Sequence, residues 1–116
     1  MKRKIELPKG TIRNLQTYID AKITSRGFDD ESLHERLLLL VEEIGELTKA
    51  CRKISGMNVD VQRNKKVDVG EEVTDCINML FAVGIELGLD IEKEFIKKEK
   101  IVDKRFYRRA TTKTAK

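Results

Sequence analysis

Apolar residues return every three or four positions along most of the chain, the spacing that lines one face of an α-helix. Ile12, Leu15, Ile19 and Ile23 form such a stripe and predict a first helix from about Thr11 to Arg26. A second is expected after Asp29-Asp30, whose carboxylates can cap its free N–H groups, running to about Ile54. A third begins at Asp68, with Glu71 three residues on as in a capping box, and ends before Gly88. Asp90 opens a fourth that runs to roughly Arg109. Gly27, Gly56 and Gly88 stand where these periodic segments stop, and glycine accepts the left-handed backbone that ends helices. The pattern predicts an all-α, four-helix bundle-like domain over residues 11–109, preceded by an arm at 1–10 and followed by a flexible basic tail at 110–116. The polar stretch from Ser55 to Val67 is long for a connection between helices.

The second helix is apolar on two sides. At about 100° per residue, Leu33, Leu37, Leu40, Ile44, Leu47 and Cys51 share one face, while Leu38 and Val41 lie nearly opposite beside Gly45. Such a helix needs two partners, which predicts a homodimer or homotetramer assembled through it. On the third helix Val69, Val73, Cys76, Leu80 and Leu87 form the expected core stripe.

Composition narrows the possibilities. The 116 residues are 38% charged and contain one proline, two cysteines and no tryptophan, which describes one small helical domain. The apolar run Leu37 to Val41 is far too short for a membrane span, and no longer one occurs. The basic start Met1-Lys2-Arg3-Lys4 is not followed by the apolar stretch of an export signal, so a cytoplasmic protein is expected. Two cysteines cannot staple a scaffold, so Cys51 and Cys76 are expected to be reduced core residues. From Lys93 to Lys116 ten Lys/Arg stand against three Asp/Glu, a net +7 that leaves the rest of the chain at −3. An acidic body with a basic end suits an anionic ligand or a nucleic acid.

The acids supply the candidate chemistry. Glu42-Glu43-Ile44-Gly45-Glu46 on the second helix and Glu71-Glu72-Val73-Thr74-Asp75 on the third both read acid, acid, two spacers, acid. A spacing of three makes Glu43 and Glu46 surface neighbours, and likewise Glu72 and Asp75. If the two helices pack antiparallel, these four carboxylates converge at the edge of the core. Like charges brought together there either take up protons or bind cations. Oxygen donors without imidazole or thiolate select a hard ion, Mg²⁺ first, with Mn²⁺ as a substitute. Such a cation is a platform for chemistry on phosphates. The alternative is a set of solvated acids with no ligand.

These residues resemble a known family. Leu37 to Leu47, carrying Glu42, Glu43 and Glu46, followed by Glu72-Val73-Thr74-Asp75, looks like the E-E-x-x-E and E-x-x-D signature of the MazG-like all-α nucleoside triphosphate pyrophosphohydrolases. The likeness extends through Gly88-Leu89-Asp90 to Lys104-Arg105-Phe106. It implies Mg²⁺-dependent hydrolysis between the α and β phosphates, giving a nucleoside monophosphate and pyrophosphate, in the housekeeping of nucleotide pools. It also implies Glu43, Glu46, Glu72 and Asp75 as metal ligands, with Glu42 beside them or acting as the base for the attacking water. By the same resemblance Lys98 and Arg105 on the last helix would contact phosphate, although the residue four after Lys98 is Val102 where family members often carry Asn. Asn78, three residues beyond Asp75, could hydrogen-bond base or sugar.

Stacking on a base would have to come from Tyr18, Phe28, His34 or Phe81, of which Phe28 and Phe81 are expected in the core and His34 at the surface. Two other enzymatic readings share the reaction type: phosphoribosyl-ATP pyrophosphohydrolase and a dUTP- or dCTP-selective enzyme. Outside enzymes, a helical nucleic-acid- or protein-binding module would use Phe106 and Tyr107 amid Arg105, Arg108 and Arg109, but no recognised nucleic-acid motif is present and nucleic acid is not the expected partner.

Overall fold

The structure, a computed structural model, describes residues 11–58, 60, 66–108 and 110. Within them the chain is all-α, with α1 (Ile12–Ser25), α2 (Leu33–Ile54), α3 (Val69–Glu86) and α4 (Ile91–Val102) and no strand. No helix among the described residues is long and apolar enough to cross a membrane. The expected arm at 1–10, the tail from 111 and part of the connection between α2 and α3 lie outside the described residues.

Each helix starts on a side-chain cap. Thr11, Asp68 and Asp90 accept hydrogen bonds from the backbone N–H of Asn14, Glu71 and Lys93. At α2 the cap is Ser32 rather than the expected Asp29-Asp30 pair. The Glu31 N–H bonds to the Phe28 carbonyl at 3.2 Å, so the chain makes one more turn first. Ser32 then accepts from Glu35 N at 3.2 Å while the Glu35 carboxylate accepts from Ser32 N at 2.9 Å, a closed capping box. Gly88, at φ +70°, ends α3: its N–H bonds to the Ile85 carbonyl and that of Leu89 to the Gly84 carbonyl.

The fourth helix is shorter than expected, ending at Val102 instead of near Arg109. Beyond it Lys104 and Arg108 would repel one another at i,i+4, and Phe106 and Tyr107 have nothing to pack on and stand exposed. Arg105 therefore lies past the helix end, not on it.

The helices pack α2 on α3, α1 on α3 and α4 on α1. Arg36, early in α2, reaches Ala82 and Glu86 late in α3, whereas Glu43 lies with Glu72 and Asp75 early in α3, so the pair runs antiparallel. Arg36 is 2% exposed. Its guanidinium donates to the Ala82 carbonyl at 2.7 Å and the Phe28 carbonyl at 3.4 Å and faces Glu86 at 3.7 Å, joining α2, α3 and the turn after α1. Gln16 ties α1 to the start of α4, donating to the Leu89 carbonyl at 2.7 Å and accepting from Ile91 N at 2.9 Å. Arg13 adds ion pairs to Asp90 and Glu92.

The buried faces differ from those the stripes suggested. Ile19, Ala50, Cys76, Phe81 and Ala82 are buried, while Leu37, Ile44 and Cys51 of α2 and Val73, Leu80 and Leu87 of α3 are exposed. On α2 Arg36 and Ala50 are buried and Leu40, Glu43 and Leu47 half-buried, and on α3 Cys76 is buried and Glu72, Met79 and Val83 half-buried, whereas the more regular apolar seams of both helices stay exposed. Cys76 is a buried free thiol as expected; Cys51 is free but at the surface.

Arg36→Ala would leave a cavity and two carbonyls without their charged donor, and a loss of about 3 kcal/mol is expected. Chemical denaturation monitored by circular dichroism measures it, and an unchanged midpoint would contradict the bridging role.

Candidate metal centre

The centre is built where the α2–α3 pair brings like charges together. Glu43, Glu72 and Asp75 each place a carboxylate oxygen within 4.8 Å of the other two. Glu43 and Glu72 are half-buried and Asp75 exposed, so the group opens to solvent at one side. No ion pair among the described residues neutralises it; the pairs present involve Arg13 and Arg36 with Asp90, Glu92 and Glu86. Burial, then the negative charges of Asp75, Glu72, Glu42 and Glu46, push the Glu43 carboxyl above the usual carboxylate range.

These residues fit a hard divalent cation. Octahedral Mg²⁺ with ligands at about 2.1 Å needs oxygens roughly 3–4 Å apart, within a small side-chain movement of the spacing present. A cation would also offset the neighbouring negative charges that, after burial, raise Glu43. Cys76, buried beside the acids, does not compete for it: burial and the charges of Glu43, Asp75 and Glu72 push its thiol up, away from the thiolate that would bind a soft metal.

Of the other expected site residues, Glu46 is outside this group of three, although its charge is among those acting on Glu43. Glu42 is exposed and also outside it. Around the N-terminal end of α3 lies a depression of about 600 Å³ lined by Asp68, Glu71, Glu72, Thr74 and Asp75, broad enough for a polyphosphate. Asn78, one turn beyond Asp75, lines a separate, more enclosed cavity of about 220 Å³ between α1 and α3, with Tyr18, Lys22, Arg26, Phe28 and Met79. Phe28, expected in the core, is half-exposed at that wall, whereas Phe81 is buried and His34 lies at the surface as anticipated. Lys98 and Arg105 are exposed, and neither forms an ion pair with the acids.

Lys22 and Arg26 were missed by sequence reasoning. Their signal was present: Tyr18, Lys22 and Arg26 recur at four-residue steps on one side of α1, and the Lys22 ammonium lies 5.8 Å from the centre of the Tyr18 ring.

No protein-family model, no curated protein and no solved structure matches this chain. The likeness to MazG-like enzymes rests on the motif residues alone.

The raised Glu43 carboxyl fixes a sign. The folded chain holds that proton more tightly than the unfolded chain, so the contribution to stability is full in acid and is lost as pH rises through the raised value. Glu43→Gln should therefore raise the melting temperature of chelator-treated protein at neutral pH, and should abolish the further rise that Mg²⁺ or Mn²⁺ gives the unsubstituted protein. Thermal melts with chelator and with each cation test both; a Glu43→Gln protein still stabilised by the cation would remove Glu43 from the ligand set.

Proposed function

We propose that this protein is a Mg²⁺-dependent nucleotide pyrophosphohydrolase of the MazG-like type, cleaving a nucleoside triphosphate between the α and β phosphates. The observation that carries the reading is the convergence of Glu43 and the Glu72/Asp75 pair from two helices into one uncompensated carboxylate group. Two motifs far apart in sequence thereby form one donor set of the kind phosphate chemistry uses. The adjoining depression gives the triphosphate room, and the cavity lined by Tyr18, Phe28 and Asn78 is of a size for a nucleobase.

Glu43, Glu72 and Asp75 would hold the cation, with Glu46 completing the set after a side-chain movement. Bound Mg²⁺ would offset the charge of the phosphates and lower the pKa of water. The chain's own acids would position the attacking water and accept its proton, with Glu42 and Glu46, whose charges act on Glu43, as the candidates outside the group of three. Water oxygen bonds to the α phosphorus in line with the departing bridge oxygen, that bond breaks, and pyrophosphate leaves without a covalent intermediate. Lys98 and Arg105 are proposed phosphate contacts, and Asn78, with Tyr18 or Phe28, would engage the nucleoside.

A second reading has one observation of its own. Phe106 and Tyr107 are 88% and 65% exposed amid Lys104, Arg105 and Arg108, a surface suited to stacking and phosphate contact in a single strand. A binder of that kind would show affinity falling steeply with salt and no cation-dependent turnover.

Incubation with each common NTP and dNTP, with and without Mg²⁺, should release monophosphate and pyrophosphate only when the cation is present. Glu72→Gln or Asp75→Asn should lower turnover by roughly 100-fold or more. Orthophosphate as product, or turnover unaffected by these substitutions, would overturn the assignment. Lys98→Ala and Arg105→Ala should chiefly raise KM, which initial-rate measurements with the preferred nucleotide read directly.

A further inference from the structure

The enclosed cavity between α1 and α3 carries charge that phosphate cleavage does not call for. About 220 Å³ in volume, it is lined by Lys22 of α1, by Arg26 at the C-terminal cap of that helix, and by Glu31 from the turn before α2. Lys22 and Glu31 are half-buried there. Opposite charges in so small a space would ordinarily pair, yet the ion pairs among the described residues involve none of the three.

The walls are fixed before any ligand arrives. The Phe28 N–H bonds to the Ile23 carbonyl at 2.9 Å, and the Phe28 carbonyl accepts from the Glu31 N–H at 3.2 Å and from the buried Arg36 guanidinium at 3.4 Å. Arg36 also bonds the carbonyl of Ala82, another wall residue, at 2.7 Å. A turn held in this way loses little freedom when a ligand enters.

The charges define what could enter. The Glu31 carboxylate only accepts hydrogen bonds, whereas Lys22 and Arg26 only donate them. A phosphate would satisfy the cations and be repelled by Glu31. A flat ring with acceptors on one edge and donors on the next satisfies both. Guanine has this order, with O6 and N7 as neighbouring acceptors and N1–H and the 2-amino group as neighbouring donors. An arginine fork matches the first edge and the two oxygens of a carboxylate match the second. Adenine would turn its N1 lone pair towards the carboxylate, cytosine its N3 lone pair, and uracil a carbonyl oxygen, each leaving a carboxylate oxygen facing an acceptor. One face of the Tyr18 ring already carries the Lys22 ammonium, 5.8 Å from its centre, so stacking falls to Phe28, 50% exposed at the cavity. Asn78 lines the same cavity one turn beyond Asp75, which makes the cavity and the carboxylates neighbours along α3.

We propose that Glu31, together with Arg26 and Lys22, selects the base and that the base selected is guanine, a reading that rests on the proposed function and narrows its substrate to a guanine nucleotide. Isothermal titration with the α,β-methylene triphosphate analogues of guanosine, adenosine, cytidine and uridine, in the presence of Mg²⁺, reads this selection without turnover. The guanosine analogue should bind about tenfold or more tightly than the other three. The inosine analogue, which lacks only the 2-amino group, should bind about fivefold or more weakly than that of guanosine. Glu31→Gln should erase both differences. A guanosine analogue with carbon in place of N7 should bind less tightly to the unsubstituted protein and no less tightly than its parent to Arg26→Ala. Phe28→Ala should weaken all the analogues by a similar factor, which separates stacking from selection. Circular dichroism checks that each variant keeps its helices.

Equal affinity for the four bases, preference for a base other than guanine, binding of none of the analogues, or a guanine preference that survives Glu31→Gln would each overturn the proposal. Pyrophosphate release from the four NTPs separates this result from the hydrolase reading. Release indifferent to the base would overturn the guanine assignment alone, whereas guanine-selective binding without release would support that assignment and remove the hydrolase.

Discussion

The antiparallel register of α2 against α3 is the constraint on which the rest of the molecule depends. Arg36 locks one end of that pairing from a buried position, bonded to the Ala82 carbonyl, and the same register brings Glu43 against Glu72 and Asp75 at the other end. A slip of one residue along either helix would turn the acids by about 100° and disperse them. The interaction that stabilises the pair and the repulsion that strains it are thus two consequences of one alignment. The Arg36 Nε, without a hydrogen-bond partner among the described residues, shows that even the lock is incompletely satisfied. Such a lock gives specificity of register more than net stability, since burying a guanidinium offsets much of what its hydrogen bonds contribute.

The pairing also sorts the surface of the hairpin into two faces of opposite chemistry. On one side lie the carboxylates, with α1 packed nearby and the cavity holding Tyr18, Phe28 and Asn78 one turn away. On the other lies the exposed apolar seam of the two helices. Packing against the seam could proceed without displacing anything at the acids, while fixing the two helices that carry them. Tightening the helices would hold the carboxylates closer and make the electrostatic need for a cation greater, because groups that cannot move apart cannot relieve their repulsion.

Much of this was legible in the sequence, and the parts that were not share a cause. Helix number, the caps at Asp68 and Asp90, and the stop at Gly88 are decided within a few residues, so local pattern exposes them. The meeting of Glu43 with Glu72 and Asp75 could be anticipated because matched spacing on antiparallel neighbours leaves few alternatives. The buried face of α2 could not. It is apolar on two sides, and periodicity cannot tell which one meets α3; the seam through Leu37, Ile44 and Cys51 was read as core and stands exposed. Arg36 was invisible for a related reason. A charged residue in a leucine-rich helix ordinarily marks the solvent side, and only the Phe28 and Ala82 carbonyls, distant in sequence, make its burial tolerable. The expected end of α4 near Arg109 differs from the observed Val102 because no local stop such as Gly marks it, whereas a helix this short persists only where it has something to pack on.

The placement of the basic end follows from the same packing. α4 rests on α1, held by Gln16 and Arg13, and these contacts involve its first turn and the segment just before it. Lys98 and Arg105 lie on or beyond the later part, where nothing among the described residues pairs with them. Opposite charges in one small chain that are kept apart by packing remain available to a ligand carrying both kinds of need. A triphosphate with its cation meets that description: the cation satisfies the carboxylates and the phosphates satisfy the Lys and Arg side chains. Had the acids and bases been paired with each other, those ion pairs would have had to be separated before either could meet a charged ligand.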